Sequence, residues 1–388
     1  MSLSGSGPSL LAVAATYPSS HTEEIAPYIH TMMVELRRLG AKPTVIAPRP
    51  VNGPRLWRSR PTRGYDEETR DGIRILRPPY TSFSNKILPG KMSTFRLTTI
   101  SFRRAVQRAS KRVERPDICY GHFLYPSGMV AHTLASAIGC GSVVALGESS
   151  FESYEKHFGL DRVRHDLSQC SRLVAVSKSN MEVCTGRYNV GLGKIKVFPN
   201  GVDPQLFRPL GQAECRRSLG LPLERPIVAF AGHFQERKGP LRVLEAIKGR
   251  GDIGAVFLGS GPMIPKGPQV LFRGAVPHDQ MPKWLNAADI FVLPTLAEGS
   301  PNAVIEAMAC GLPIVSSDLP FNHEILDSSC GILIDPTNID AIGNGIESLV
   351  DDKKKRETLG QAALERTQRY GIAERARRIL EWIEPVCR

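Results

Sequence analysis

Short apolar runs recur along the first half of the chain, most of them followed by stretches whose apolar residues fall at helical spacing. The runs at 10–15, 43–47, 73–77, 117–120, 142–146, 172–176 and 196–198 predict buried strands. Between the first two, Ile25, Tyr28, Met32, Leu36 and Leu39 share one face of a helix predicted over 24–39. A Pro/Gly-rich stretch at 199–209 interrupts the pattern. The alternation restarts at Pro226, with strands predicted at 227–231, 255–258, 270–272, 290–293 and 313–316. From Asn338 the pattern is helical, with one break near Tyr370 and Gly371 and a last helix at 372–385. Strands alternating with helices imply parallel sheets covered on both faces. The expected class is α/β, with doubly wound Rossmann-like domains over 1–198 and 199–370 and a final segment, 371–388, packing back toward the first. Ligands of such sheets sit beyond the carboxyl ends of the strands, and two facing domains would place the substrate cleft between them.

Composition narrows the class. Of 388 residues, 41% are hydrophobic and 23% charged, as in soluble globular proteins, and no apolar run approaches a membrane-spanning length. The Ser/Gly-rich start at 2–9 is set apart from the fold, and the run at 10–15 is too short, and lacks a basic leader, for a signal peptide. The eight cysteines are scattered without a C-x-x-C pair, which favours free core thiols. A cytoplasmic protein is expected.

The net charge of +12 is uneven: residues 1–190 hold 26 Lys/Arg and 15 Asp/Glu, a balance of +11, leaving 24 and 23 for the rest. A basic half suits an anionic partner as readily as a solvated face. In 95–115, Phe102, Val106, Ala109 and Val113 fall on one helical face, while Arg103, Arg104, Arg108, Lys111, Arg112 and Arg115 crowd the rest. Such a helix suits peripheral contact with an anionic membrane, unless its apolar side is core. No recognition motif accompanies the charge, so nucleic acid is not an expected partner.

The segment 290–317 carries the chemistry. A predicted strand leads into a loop holding Glu298 and Ser300, and then a helix predicted over 302–310 that stops at Gly311. The free amides of Asn302 and Ala303 suit a phosphate. Glu306, eight residues after Glu298, could accept from ribose hydroxyls, and Glu298 could reach a sugar hydroxyl. Two glutamates at a helix start can also be no more than favourable charges on its dipole.

The run E-G-S-P-N-A-V-I-E-A-M-A-C-G-L-P-I-V-S-S-D at 298–318 resembles the E-x7-E signature of glycosyltransferase family 4, in the GT-B fold superfamily. G-H-F-Q-E-R-K-G at 232–239, F-L-G-S-G-P at 257–262 and P-N-G-V-D at 199–203 are similar to further segments of that family, in the same order. The resemblance is dense over 199–336 and thin before 120.

It implies two Rossmann-like domains facing across a cleft, the second binding a UDP- or GDP-sugar and the first an acceptor. It further implies a retaining, metal-independent glycosyltransferase without a cofactor, of the hexosyltransferase type. The acceptor would be a glycan or lipid-linked, in envelope or exopolysaccharide synthesis at the inner face of the membrane. Lys238 would neutralise the donor diphosphate, with Glu298 and His122 beside the sugar. Gly259 and Gly261 would let backbone approach the nucleotide, and the backbone of 273–276, beginning at Arg273, would meet the base.

Three departures stand out. His233 occupies the family's usual Arg position, leaving Arg237 to compensate. Glu148, in Gly147–Glu148–Ser149, takes the place of an acceptor-side Asp. The loop at 16–26 lacks the usual glycines. A sugar-nucleotide epimerase of the same superfamily and a non-catalytic nucleotide-sugar-binding protein are the alternatives.

Overall fold

The computed structural model describes residues 7–19, 26–52, 66–83, 85–89 and 92–387. Glu24 and Ile25, the expected start of the first helix, and residues 20–25 of the first loop lie outside them. The chain forms two compact units, Met1–Pro199 with Ala373–Arg388, and Asn200–Ile372.

The first unit is built on eight strands: β1 Ser9–Ala14, β2 Lys42–Ile46, β3 Asp66–Arg70, β4 Ile73–Arg77, β5 Ile118–His122, β6 Gly141–Leu146, β7 Arg172–Ala175 and β8 Ile195–Val197. They lie in the order β8-β7-β6-β5-β1-β2-β4-β3, with only the edge pair β3–β4 antiparallel. The five central strands are apolar because helices cover both faces. Strand β3, D-E-E-T-R, has no apolar pattern to announce it. It is held by the Asp71–Gly72 turn, both residues at positive φ, and by Glu67–Arg74 and Glu68–Arg77 pairs, each at 2.6 Å. A charged edge of this kind resists pairing with another chain.

The second unit has six parallel strands: β9 Ile227–Ala231, β10 Gly254–Leu258, β11 Val270–Gly274, β12 Ile290–Leu293, β13 Ile314–Ser317 and β14 Gly331–Ile334. Their order, β11-β10-β9-β12-β13-β14, is the doubly wound Rossmann arrangement. Phe230, Phe257 and Phe291 are fully buried in its core. Strand β14 was not predicted.

Each sheet has a point where the winding reverses, leaving a crevice beyond the strand ends. In the first unit this is β1 against β5, with Ala14 opposite His122. In the second it is β9 against β12, with Ala229 opposite Phe291.

Two helices bear on function. Thr94–Ser110 buries Phe102, Val106 and Ala109 completely in the first unit's core, and Val113 packs against the same cluster. The expectation that this apolar face lies in a membrane is therefore corrected: it is occupied by the sheet. Arg103, Arg104 and Arg108 remain exposed, with Leu97 and Ile100 half-exposed beside them. The last helix, Ile372–Ile383, sets Ala376, Ile379 and Ile383 into the first unit, where Arg375 Nε donates to the Pro199 carbonyl at 2.8 Å. No helix among the described residues is long and apolar enough to cross a membrane.

Candidate active site

In the second unit, the winding reversal brings the loops after β9 and β12 side by side. The β9 loop turns through Glu236–Lys238 and ends at Gly239, whose left-handed φ of 78° lets Pro240 open a helix. The β12 loop is braced from beneath: Ser316 Oγ donates to Leu293 O at 2.8 Å and Ser317 Oγ to Thr295 O at 2.6 Å. The loops are joined by the Leu296 amide, which donates to Arg237 O at 2.8 Å. Glu298 Oε1 is the hub: Lys238 Nζ donates to it, Thr295 Oγ1 donates at 3.0 Å, and Arg237 Nη1 lies 3.4 Å away. Arg237 also donates to Ala297 O. Lys238, Arg237 and Glu298 are thus brought together with two cations on one carboxylate, and none is fully exposed.

Beyond the loop, helix Asn302–Ala309 starts at Pro301 with no side-chain cap, so its first amides are open to a ligand. Asn302 Oδ1 is buried with no hydrogen-bond partner among the described residues. Ser300 is buried and held at the start of the unit, where Asn200 Nδ2 donates to its carbonyl at 3.2 Å. Glu306, one turn in, has its Oε1 3.1 Å from His278 Nε2.

The two glycines expected to let backbone approach the nucleotide lie against the backbone of the neighbouring loop. A Cβ on Gly259 would stand 2.0 Å from Gly232 O, and one on Gly261 2.4 Å from Phe234 O. Both are glycine because the β10 loop packs backbone to backbone on the loop that carries the exposed His233. Arg273 also requires correction. It lies inside β11, opposite Phe257, and its guanidinium donates to Pro265 O at 2.9 Å. Its backbone belongs to the ladder rather than to a loop.

In the first unit, His122 ends β5 between Ala14 and Ala145. It is 7% exposed, and its Nε2 has no partner among the described residues. Burial, aided by the nearby Arg375 charge, pushes its pKa down to about 3, so the imidazole is neutral. The next residue, Phe123, has φ 65° and ψ 152°, a region nearly confined to glycine and a mark of strain at functional sites. Glu148 lies on the loop after β6 and is 6% exposed. Its Oε1 accepts from the Leu124 amide at 2.5 Å, while Oε2 is buried with no partner among the described residues. Burial lifts its pKa to about 7 despite the Leu124 hydrogen bond.

The glycine-free first loop is anchored by a chain: Tyr17 hydroxyl to His30 Nδ1 at 2.7 Å, then His30 Nε2 to Asp71 at 2.7 Å. His278, Thr295, Arg375 and the Phe123 backbone were not singled out from sequence. A histidine or threonine soon after a strand was the only available signal.

Residues 211–366 match the family described as Glycosyl transferases group 1, and residues 25–206 match Glycosyltransferase Family 4. A glycosyltransferase of Bacillus subtilis (strain 168) assigned to teichuronic acid biosynthesis, TuaC, is 29% identical over 357 residues, 87% of this chain and 88% of its own. An Escherichia coli UDP-Gal:alpha-D-GlcNAc-diphosphoundecaprenol alpha-1,3-galactosyltransferase is 30% identical over 203 residues, 47% of this chain and 52% of its own. Sucrose-phosphate synthase from Thermosynechococcus elongatus superposes with a TM-score of 0.78 at 19% identity, covering 97% of this chain and 98% of its own, a likeness of fold.

Proposed function

The chain belongs to glycosyltransferase family 4, of the group 1 type with the GT-B fold, and from that membership we propose that it transfers a sugar from a UDP- or GDP-sugar to a glycan or lipid-linked acceptor of the cell envelope, with retention and without a metal. The single observation that carries the reading is the cluster of Lys238 and Arg237 on Glu298, beside the open amides of helix Asn302–Ala309. Names of relatives point the same way on acceptor class: one is assigned to teichuronic acid synthesis and another acts on a diphosphoundecaprenol-linked sugar.

On this reading the diphosphate displaces Glu298 as partner of Lys238 and Arg237, and Glu298 turns to a sugar hydroxyl. Asn302 and Ala303 donate their amides to phosphate, and Glu306 accepts from the ribose. The bond from the anomeric carbon to the diphosphate oxygen breaks as the acceptor oxygen attacks the same face. The acceptor proton passes to the departing diphosphate. Lys238 stabilises the charge that grows there, the largest electrostatic contribution the site offers. From the first unit, the family resemblance assigns the neutral His122 to the sugar and Glu148 to the acceptor. The enzyme works in the cytoplasm, touching an anionic membrane through Arg103, Arg104 and Arg108 with Leu97 and Ile100.

The test is incubation with UDP-, GDP- and ADP-sugars, with and without bacterial membrane extract. Nucleotide release that requires extract, with the anomeric configuration kept in the product by NMR, is the expected result. An epimerised free nucleotide sugar, or binding without turnover, would replace this reading with one of the other two.

A further inference from the structure

The donor-site reading leaves one close contact without a purpose. His278 Nε2 stands 3.1 Å from Oε1 of Glu306, and both side chains are largely buried, at 23% and 15% exposure. His278 opens a short turn, His278–Gln280, after Pro277, and its ring lies 5.2 Å from that of Phe207. We propose that His278 is the positioning residue for the Glu306 carboxylate, fixing it to receive a ribose and making nucleotide binding dependent on pH. This rests on the reading of Glu306 as the ribose partner.

A glutamate side chain loses up to about 2 kcal/mol of rotamer freedom when fixed. The His278 hydrogen bond imposes that order before ligand arrives, and leaves Oε2 and one lone pair of Oε1 for two hydroxyl donors. The imidazole faces three carboxylates: Glu306 across the contact, Asp279 in its own turn, and Asp203 from the segment that opens the unit. Burial disfavours the imidazolium, but the Glu306 hydrogen bond and charge, reinforced by Asp279 and Asp203, outweigh it and raise the pKa above the ordinary histidine value. A bound nucleotide covers the pair and adds the negative diphosphate. The added negative charge favours the proton against the further burial, so the bound state holds it more tightly than the free state. Affinity therefore falls as pH rises through the His278 titration.

The experiment is calorimetric titration of UDP-glucose, GDP-mannose and ADP-glucose, following the tightest binder from about pH 5.5 to 8.5, where its diphosphate does not titrate. The wild type should lose about threefold or more in affinity across that window. His278→Gln, which keeps a donor, should bind with no pH slope, and His278→Asn, too short to reach, should bind more weakly with none. His233→Gln is the control and should keep the wild-type slope. A slope that persists in His278→Gln, or that vanishes in His233→Gln, overturns the proposal. Glu306→Ala separates the two levels. If it binds as the wild type does, the ribose reading fails. If it weakens binding while both His278 variants match the wild type, only the His278 inference fails.

Discussion

The loops at the carboxyl ends of the two sheets solve opposite electrostatic problems. In the second unit, Lys238 and Arg237 already bear on Glu298, so opposite charges are collected before any ligand arrives. In the first unit, burial drives the polar groups toward neutrality, His122 down to about 3 and Glu148 up to about 7, and each keeps a buried atom without a partner among the described residues. A diphosphate brings charge and rewards the first arrangement. A sugar hydroxyl brings none and rewards the second, since an unpaired buried charge costs several kcal/mol. The difference between the units follows from what each is proposed to hold.

Four changes would break or sharpen that contrast. The largest effect is expected from Lys238→Ala, which removes the charge proposed to meet the leaving diphosphate: kcat should fall about 100- to 1000-fold, with the melting temperature nearly unchanged, as steady-state kinetics and calorimetry would reveal. Gly259→Ala should come next. Its Cβ would enter the Gly232 carbonyl, costing about 3 kcal/mol of stability in urea unfolding and displacing the His233 loop.

Glu148→Gln probes the neutral side. The folded state holds the Glu148 proton more tightly than the unfolded chain, so wild-type stability falls as pH rises from about 4.5 to about 7 and is level above. The Gln variant lacks that penalty and should be more stable than the wild type at pH ~8, by about 2–3 kcal/mol. Unfolding curves at low and high pH that shift in parallel for both proteins would contradict a buried neutral carboxyl. The smallest effect is expected from Arg104→Gln, about 1 kcal/mol of binding to anionic vesicles at low salt. Vesicle binding that is absent, or indifferent to this change, would remove the membrane from the proposal.

Much of this was legible in the residues, and the limits have a physical cause. The apolar strands follow from composition, and the doubly wound rule points to the loops after β9 and β12, where Lys238, Arg237 and Glu298 meet. Strand β3 escaped because an exposed edge strand needs no apolar face. The basic helix left two readings open because period alone cannot say whether an apolar face meets lipid or sheet; Phe102, Val106 and Ala109 meet the sheet. At Gly259 and Gly261, a glycine that admits a ligand and one pressed against backbone share a sequence signature, so the contacts with Gly232 and Phe234 were not legible. His278 and Glu306 lie 28 residues apart, and Arg375 and Pro199 lie 176 apart, with no period connecting them. The strained Phe123 backbone is set by its neighbours in the fold and not by its own type.

The central claim is that the Lys238 cluster holds a donor diphosphate. It is tested most directly by calorimetric Kd values for a nucleoside diphosphate and for the matching nucleoside, each on wild type and on Lys238→Ala. The predicted result is a diphosphate that binds the wild type much more tightly than the nucleoside, with that gain reduced by about 2 kcal/mol or more in the variant, while nucleoside affinity is unchanged. A gain of equal size in both proteins would contradict it.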